Sequence, residues 1–414
     1  MDKKRVAVTG MGIVSSIGLG ADGFWKSTLE GRSGISEVTS FDTSMLASHI
    51  AGAVKGFRPE EYIPDRVMKR VDPFVHFALA SAKMAIDDSG LDLAAEDTSR
   101  IGVIIGSGLG GILFHESQIE RVLRIGLQKV NPLGVPRITP NSVSSQIAIA
   151  FGIRGPNMVI SNACASGTNA IGEAFRKIQS GEIDAAIAGG SEAAVSSFTL
   201  AAYDAMGVLS RRNGEPEAAS RPFDRERDGF VLGEGAAVLM LEGLDRALAR
   251  GARVHAELKG YSSNSGAYHM VIPLPEGTDI ADVMSLAIKD AGLRADDIGY
   301  INAHGTSTIQ NDRTETRAIK KVFGDRAYRI PVSSIKSMIG HTIGASGAIG
   351  ACACCLALRE QTVPATANYR ARDPECDLDY VAEGPRRARF DNVLLNSFGF
   401  GSNNACLVIR RYDG

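Results

Sequence analysis

Strands alternating with helices, in two halves of similar pattern, predict a layered α/β fold. Three observations carry this reading. Short apolar runs recur along the whole chain, bounded by glycines or polar turn residues and followed by helical patterns. Twice such a run ends in a polar apex that opens into a helix of Ala, Gly and Ser: Val159 through Cys164, and Val332 through His341. The 414 residues, 44% of them hydrophobic, supply enough apolar side chains for a large buried core. The boundary between the halves is placed at Gly251, giving segments 1–251 and 252–414.

The chain enters on Arg5–Thr9, a strand expected to turn at Gly10 and Gly12. Phe24–Glu30 reads as a short helix. Asp72–Ser89 is a helix with Phe77, Ala80 and Met84 on one stripe. Arg100–Gly106 is a β run that ends in Gly106-Ser-Gly108-Leu-Gly110-Gly111. The G-x-G-x-x-G pattern there suggests a dinucleotide loop, but such a loop needs a second strand about 30 residues on, tipped with an acidic side chain. The corresponding stretch, Lys129–Pro140, has three prolines and no strand pattern, so a nicotinamide or flavin site is not expected. Ser142–Phe151 is a helix. The run from Val159 leads into a helix whose Ile171, Ala174, Phe175 and Ile178 repeat at i, i+3, i+4, i+7. Asp184–Ala188 is a strand. Ser210–Gly229, with Arg211, Arg212, Arg221, Arg225 and Arg227, reads as a solvated basic face able to meet an acidic partner. Phe230–Glu242 reads as a strand pair, and Leu244–Arg250 as a helix. The second half repeats the alternation, with strands at Val254–Tyr261, Ile298–Asn302, Ile330–Ser334, Val393–Asn396 and Ala405–Arg410, and helices at Asp279–Ala291, Thr314–Phe323 and Gly344–Leu358.

Composition removes several functions. A net charge of −2 leaves no broad electrostatic footprint for nucleic acid. No window approaches 18 consecutive apolar residues, so no membrane span is expected. Six cysteines behind an N-terminus without an apolar leader suggest a reducing, cytoplasmic setting. Cys352, Cys354 and Cys355 crowd one apolar helix without the paired ligands of a structural zinc site, so no metal is expected.

The polar apices carry the reactive groups. Cys164 stands where a strand gives way to a helix, and the helix dipole there favours thiolate over thiol. The small residues Ala165, Ser166 and Gly167 leave room for a substrate. His304 follows the third strand of this kind, in Asn302-Ala-His304-Gly-Thr-Ser-Thr308. Lys336 and His341 follow the next, in Ser334-Ile-Lys336-Ser-Met-Ile-Gly-His341. A thiolate nucleophile with two imidazoles points to acyl transfer. No carboxylate is spaced to orient an imidazole as in a hydrolase triad. Uncharged imidazoles suit another task, donating hydrogen bonds to a carbonyl oxygen while carbanion character develops beside it. Lys336 is expected to form a buried ion pair with Glu315. The glycines around Phe398 and Phe400 allow a hinged gate and free backbone N–H groups for an oxyanion.

Together with Asn162-Ala-Cys164-Ala-Ser-Gly167 and Asn396-Ser-Phe-Gly-Phe-Gly401, these motifs resemble the β-ketoacyl-acyl-carrier-protein synthases, elongating condensing enzymes of the thiolase superfamily, over essentially the whole chain. The resemblance implies a duplicated α-β-α-β-α fold, a dimer and no cofactor bound by the chain itself, substrates arriving on the phosphopantetheine of acyl carrier protein. It implies Cys164 as acyl acceptor, and His304 and His341 as promoters of malonyl decarboxylation. The N–H groups of Cys164 and Phe400 would form an oxyanion hole, and Lys336 with Glu315 would tune the site. Thr306 and Thr308 match positions that hold the phosphopantetheine arm; Leu109 and Tyr203 match positions that line the acyl pocket. A chain-length-factor-like subunit would lack Cys164, a thiolase would carry a second catalytic cysteine, and a priming synthase would have Asn in place of His341. Overall the chain looks like synthase II of fatty-acid elongation. Gln310-Asn-Asp-Arg313, Pro331–Ile335, Thr366-Ala-Asn368 and Asp373–Tyr380 look more like the ketosynthase α subunit of type II polyketide synthases. Ile309 stands where many fatty-acid enzymes have proline, and Ser402-Asn403 where they usually have Gly-Thr, two departures that bear on the gate and on the chain length accepted. The lean is to polyketide or polyene assembly, with a homodimer or a heterodimer with a chain-length-factor-like subunit.

Overall fold

Residues 3–414 are described by the structure, a computed structural model. In the N-terminal half the strands along the path of the main sheet are β1 (Val6–Ser15), β2 (Ile101–Gly106), β3 (Asn157–Ile160), β4 (Ala185–Glu192) and β5 (Gly235–Gly243). In the C-terminal half they are β6 (Ala256–Ser265), β7 (Tyr300–Asn302), β8 (Val332–Ser333), β9 (Asn392–Gly399) and β10 (Asn403–Arg410). All ten share one hydrogen-bonded ladder, in the order β8-β7-β9-β10-β6-β1-β5-β4-β2-β3. Each half, counted from the junction outward, therefore runs first, fifth, fourth, second, third. In both, the fifth strand is antiparallel to the first and the fourth, and the second is parallel to the fourth and the third. The halves meet where β1 pairs antiparallel with β6, through Val6–Leu258 and Val8–Ala256. The topology is thus a duplication.

The strands are continuous apolar runs because both faces are covered; β1, β2, β4 and β5 are buried at every position. One outer layer holds α1 (Pro73–Ser89), which packs on β1, β4 and β5, and α2 (Ser142–Phe151). The Asp72 carboxylate accepts the Phe74 N–H at the start of α1, and Gly90 (φ 62°) closes its end. The middle layer is α3 (Ser166–Gln179) against α6 (Ser346–Glu360), both touching strands of either half. The other outer layer is α4 (Thr278–Asp290) with α5 (Ile309–Phe323). The order is α-β-α-β-α. The stretch Ile343–Glu360 is long and apolar enough to cross a membrane, but most of it is buried in the core.

Two expectations are corrected. The first strand does not turn at Gly10 and Gly12 but runs on to Ser15. The glycines serve helix packing instead: a Cβ at Gly10 would lie 2.0 Å from the Ala85 carbonyl oxygen, and one at Gly12 1.9 Å from that of Ser81. Lys129–Pro140 carries no strand, as expected, and Gly134–Ile138 within it is a short helix. Ser210–Gly229 is not uniformly a solvated face. Arg221 and Arg227 are 2% and 3% exposed, and Arg227 donates to Asp373 at 2.7 Å and lies 3.5 Å from Asp312.

Candidate active site

Two matching turns present the reactive groups. After β3 the chain bends at Ala163, whose φ of 47° is left-handed, and a single 3-10 turn over Ala163–Ala165 leads into α3. Cys164 sits at the apex. Ser166 holds the turn closed, its hydroxyl donating to the Ala163 carbonyl at 2.6 Å and accepting the Asn162 N–H at 2.9 Å. After β8, a short helix over Lys336–Ile339 delivers His341. The His341 backbone is clamped into a bridge with Leu232: its N–H donates to the Val231 carbonyl at 2.7 Å and its carbonyl accepts the Gly233 N–H at 2.9 Å.

The structure brings Cys164, His304 and His341 together. His341 Nε2 lies 2.9 Å from Cys164 Sγ, and its Nδ1 lies 2.9 Å from the Ser346 hydroxyl. The His304 and His341 rings are 5.3 Å apart and nearly perpendicular. His304 is fixed through its backbone: its N–H and that of Gly305 each donate to the Glu315 carboxylate at 2.8 Å, and its carbonyl accepts from Lys336 Nζ at 2.6 Å. The expected direct ion pair between Lys336 and Glu315 is therefore corrected. The ammonium and the carboxylate hold opposite ends of the His304 peptide unit, and Glu315 takes a further hydrogen bond from Asn396 at 3.0 Å. Their attraction persists through that unit and raises the lysine's affinity for its proton.

Burial dominates the electrostatics. Both imidazoles are held well below the usual histidine range by desolvation and by the Lys336 charge, so each is neutral and carries one proton. Lys336 is lowered to about 8 by burial. The Cys164 thiol is pushed up to about 12, again by burial, against the pull of Lys336 and of the Phe400 N–H. The expected resting thiolate is therefore corrected: the helix end favours the anion, but the cost of desolvating a charge is larger. The residue that favours the anion most is the charged lysine.

A cavity of about 560 Å³ opens onto this cluster. Cys164, His304, His341, Phe398, Phe400, Tyr203, Thr306 and Thr308 all line it. The Phe398 ring meets the edge of His304 at 5.7 Å, and Phe400 leans on Tyr203 at 6.4 Å. Glycine at 399 lets β9 approach the nucleophile, since a Cβ there would lie 3.0 Å from both Cys164 N and Asn162 O. The backbone N–H groups of Phe400 and of Cys164 itself both favour the anionic sulfur. The Thr306 and Thr308 hydroxyls are 2.9 Å apart on the wall. Leu109 is not on the wall; it packs behind it, in the apolar cluster of Phe230, Ile343 and Tyr203. The donor atoms of Cys164, His304 and His341 lie within 4.8 Å of one another. The 2.9 Å contact between sulfur and Nε2 is shorter than the roughly 3.5 Å that separates two ligands across a tetrahedral zinc, and fits a hydrogen bond instead.

Sequence reasoning missed Glu192 and Ser346. Glu192, at the end of β4, accepts N–H groups from Gly108, Leu109 and Gly344 at 2.7, 3.0 and 3.0 Å and faces the Ser107 hydroxyl at 3.2 Å. Its partners are backbone groups far apart in the chain, which no local pattern reveals. Ser346 had a signal: it stands in the second turn where Ser166 stands in the first.

A thiol and two neutral imidazoles, held at the junction of two duplicated halves, define a thiolase-type acyl-transfer enzyme. Comparison with known proteins agrees. Residues 3–247 match the N-terminal domain of β-ketoacyl synthases, and residues 255–370 match their C-terminal domain. The chain is 45% identical over 413 residues to the 3-oxoacyl-[acyl-carrier-protein] synthase 2 of Synechocystis sp., covering 100% of this chain and 99% of that protein. Among solved structures it matches the ishigamide ketosynthase/chain length factor (TM-score 0.94, 36% identity, 99% of this chain and 100% of that chain). It also matches a chain from a complex of a type II polyketide synthase acyl-carrier protein with its ketosynthase (TM-score 0.92, 34% identity, all of both chains). The chain belongs to the β-ketoacyl synthase family and is an acyltransferase that forms carbon–carbon bonds.

Proposed function

We propose that this chain is a ketosynthase that condenses malonyl carried on acyl carrier protein with an acyl chain held on Cys164, releasing carbon dioxide and β-ketoacyl carrier protein. The contact between Cys164 and His341, with His304 across the cavity, is the observation that carries this reading. The Cys164 sulfur attacks the incoming thioester, and the carrier's phosphopantetheine thiol leaves with the proton. The malonyl group then loses carbon dioxide while His304 and His341 donate hydrogen bonds to its thioester carbonyl, and the carbanion attacks the Cys164 thioester. The C–S bond breaks, the sulfur leaves as a thiolate, and one proton taken up from solvent restores the Cys164 thiol for another cycle. The N–H groups of Cys164 and Phe400 hold the oxyanion. Lys336 and Glu315 position His304, Thr306 and Thr308 hold the phosphopantetheine arm, Phe398 and Phe400 gate the entrance, and Tyr203, backed by Leu109, meets the acyl chain. Segments 1–251 and 252–414 are the nucleophile half and the histidine half. No cofactor of the chain's own enters these steps.

We place the reaction in type II polyketide or polyene assembly. Ile309, 42% exposed on the cavity rim, and Ser402, at φ 59° in the turn after Phe400, support this by departing from the fatty-acid pattern. The 45% identity to a synthase 2 favours housekeeping elongation instead. Either reading calls for a second subunit. Leu123, Leu127, Val135 and Phe198 leave large apolar side chains uncovered around the helix Ile112–Ile125. The test is purification from the native host followed by intact-mass measurement. A co-purifying ketosynthase-like chain without the cysteine supports the polyketide reading. A homodimer acylated on Cys164 by the fatty-acid carrier protein supports elongation. No acylation of Cys164 by any acyl carrier protein overturns the whole proposal.

A further inference from the structure

We infer that Thr342 and Ser346 form a hydroxyl chain that fixes His341 as the tautomer protonated on Nε2, making it a hydrogen-bond donor to the cavity. This rests on the ketosynthase reading only for what that donor does in catalysis. A neutral imidazole carries one proton, so one ring nitrogen donates and the other accepts. Which one donates is set by the partner of the nitrogen that faces away from the chemistry. For His341 that nitrogen is Nδ1, and its partner is the Ser346 hydroxyl at 2.9 Å.

A serine hydroxyl can donate or accept, so on its own it leaves the tautomer open. Thr342 closes the question. Its hydroxyl lies 3.0 Å from Ser346 Oγ, and both side chains are buried. Among the described residues Ser346 is the only hydrogen-bond partner of the Thr342 hydroxyl, while Ser346 has just Thr342 and His341. The chain can then run in two directions. If Thr342 donates to Ser346 and Ser346 donates to Nδ1, every hydroxyl proton has an acceptor, the ring proton sits on Nε2 and faces the Cys164 sulfur, and only the thiol, a weak donor, forgoes the ring nitrogen. If Nδ1 donates to Ser346 instead, one hydroxyl proton is always buried without an acceptor: that of Thr342 when Ser346 donates to it, or that of Ser346 when Thr342 donates as well. A buried unsatisfied polar group is costly, so the first direction wins. It aims an N–H at the position beside Cys164 Sγ where the proposed reaction develops negative charge on oxygen.

The duplication sharpens the point. Ser166, the equivalent serine of the other half, spends its hydroxyl on its own turn, bonding Ala163 and Asn162. Ser346 makes neither of those bonds and is turned to the histidine instead. Thr342 and Ser346 are positioning residues, since they act through His341.

The experiment is nitrogen NMR of the full-length protein labelled with 15N-histidine, its His341 signals assigned by their loss in His341→Gln. In parallel, carbon dioxide release from malonyl carrier protein is measured. In the wild type, Nε2 is expected to give the protonated, pyrrole-type signal and Nδ1 the unprotonated one. Ser346→Ala is expected to abolish that preference and to slow decarboxylation about tenfold, the loss of roughly one hydrogen bond. Ser346→Thr restores both. Thr342→Val, which removes only the group that sets the direction, mixes the tautomers with a smaller loss of rate. A wild-type signal showing Nδ1 protonated overturns the inference, as does a Ser346→Ala protein with unchanged tautomer and rate. If Ser346→Ala does not fold, the Thr342→Val spectrum decides, an unmixed tautomer there being fatal to the idea. A wild-type protein that releases no carbon dioxide defeats the functional reading, while the nitrogen spectrum still judges the hydroxyl chain.

Discussion

The turn that enters α3 and the turn that enters α6 are the same piece of structure used for different ends. Each begins with a non-glycine residue in the left-handed region, Ala163 at φ 47° and Ile343 at φ 45°, and each continues through a 3-10 turn into a helix opening Ser-Gly. The apex residue differs: Cys164 in the first, Gly344 in the second. At Cys164 the apex faces the cavity. At Gly344 it faces protein, because a Cβ would lie 2.5 Å from Gly108 N and 2.6 Å from Glu192 Oε2. Duplication supplied two sites of equal geometry, and the packing around one of them forbids a side chain. The first half therefore holds the nucleophile, and the second half surrounds it with donors.

The largest effect that tests this division of labour is at the first apex. Cys164→Ala is expected to lower condensation by at least roughly a thousandfold, since among the described residues no other thiol lines the cavity. Turnover of acyl and malonyl carrier protein by the folded variant measures it, and retained condensation would remove the nucleophile from Cys164. The reciprocal change, Gly344→Cys, is expected to create no second nucleophile and to destabilise the fold by about 3 kcal/mol through overpacking against backbone and a buried carboxylate. Denaturant unfolding checks the cost. A stable Gly344→Cys protein acylated at position 344 would break the comparison.

The fold class and the two apices were legible because they are written in local pattern. Apolar runs mark strands buried on both faces, and small residues after a strand mark a tight entry to a helix. Cys164, His304 and His341 each stand at such a point, and the motifs around them are specific. What stayed hidden depends on packing between distant segments. Gly10 and Gly12 looked like a turn, yet they are glycines because α1 lies against them. Arg221 and Arg227 looked like a solvated run, yet the aspartates that bury Arg227 come from positions 312 and 373. Lys336 and Glu315 read as partners, and their charges do act on each other, but the His304 peptide lies between them, which only coordinates reveal. The state of the Cys164 thiol was misjudged for the same reason. A helix end is visible in sequence, whereas the depth of burial is not.

Lys336 stands in the second half, bonded to the His304 carbonyl, and pH exposes its burial. Its pKa is about 8 in the folded protein and about 10.5 when unfolded. Between these values the unfolded chain binds more protons, so stability rises with pH through this window. Above the unfolded value the contribution is complete, and it is lost as pH falls through about 8. Relative to Lys336→Met, the wild type is expected to gain about 2 to 3 kcal/mol between pH 8 and pH 10.5. Urea titrations of both proteins across this range provide the check. Parallel pH profiles would mean that the ammonium is no harder to charge inside the protein than in water.

The smallest effect separates the two serines. Ser166 makes two hydrogen bonds within its own turn, at 2.6 and 2.9 Å, and touches no catalytic side chain. Removing its hydroxyl leaves the Asn162 N–H without a partner and the Ala163 carbonyl with the Ser166 N–H alone, at an expected cost of about 1 to 2 kcal/mol, the net worth of the lost bonds. Ser166→Ala should therefore lower the unfolding midpoint while the histidine nitrogen signals and the decarboxylation rate stay at their wild-type values. Ser346→Ala should do the reverse, moving the His341 tautomer with a smaller change in stability. Chemical unfolding and the 15N spectrum, run on both variants, place each serine on one axis or the other. If both variants moved the tautomer equally, the second turn would not be specialised. The difference between the halves would then reduce to the one residue at each apex.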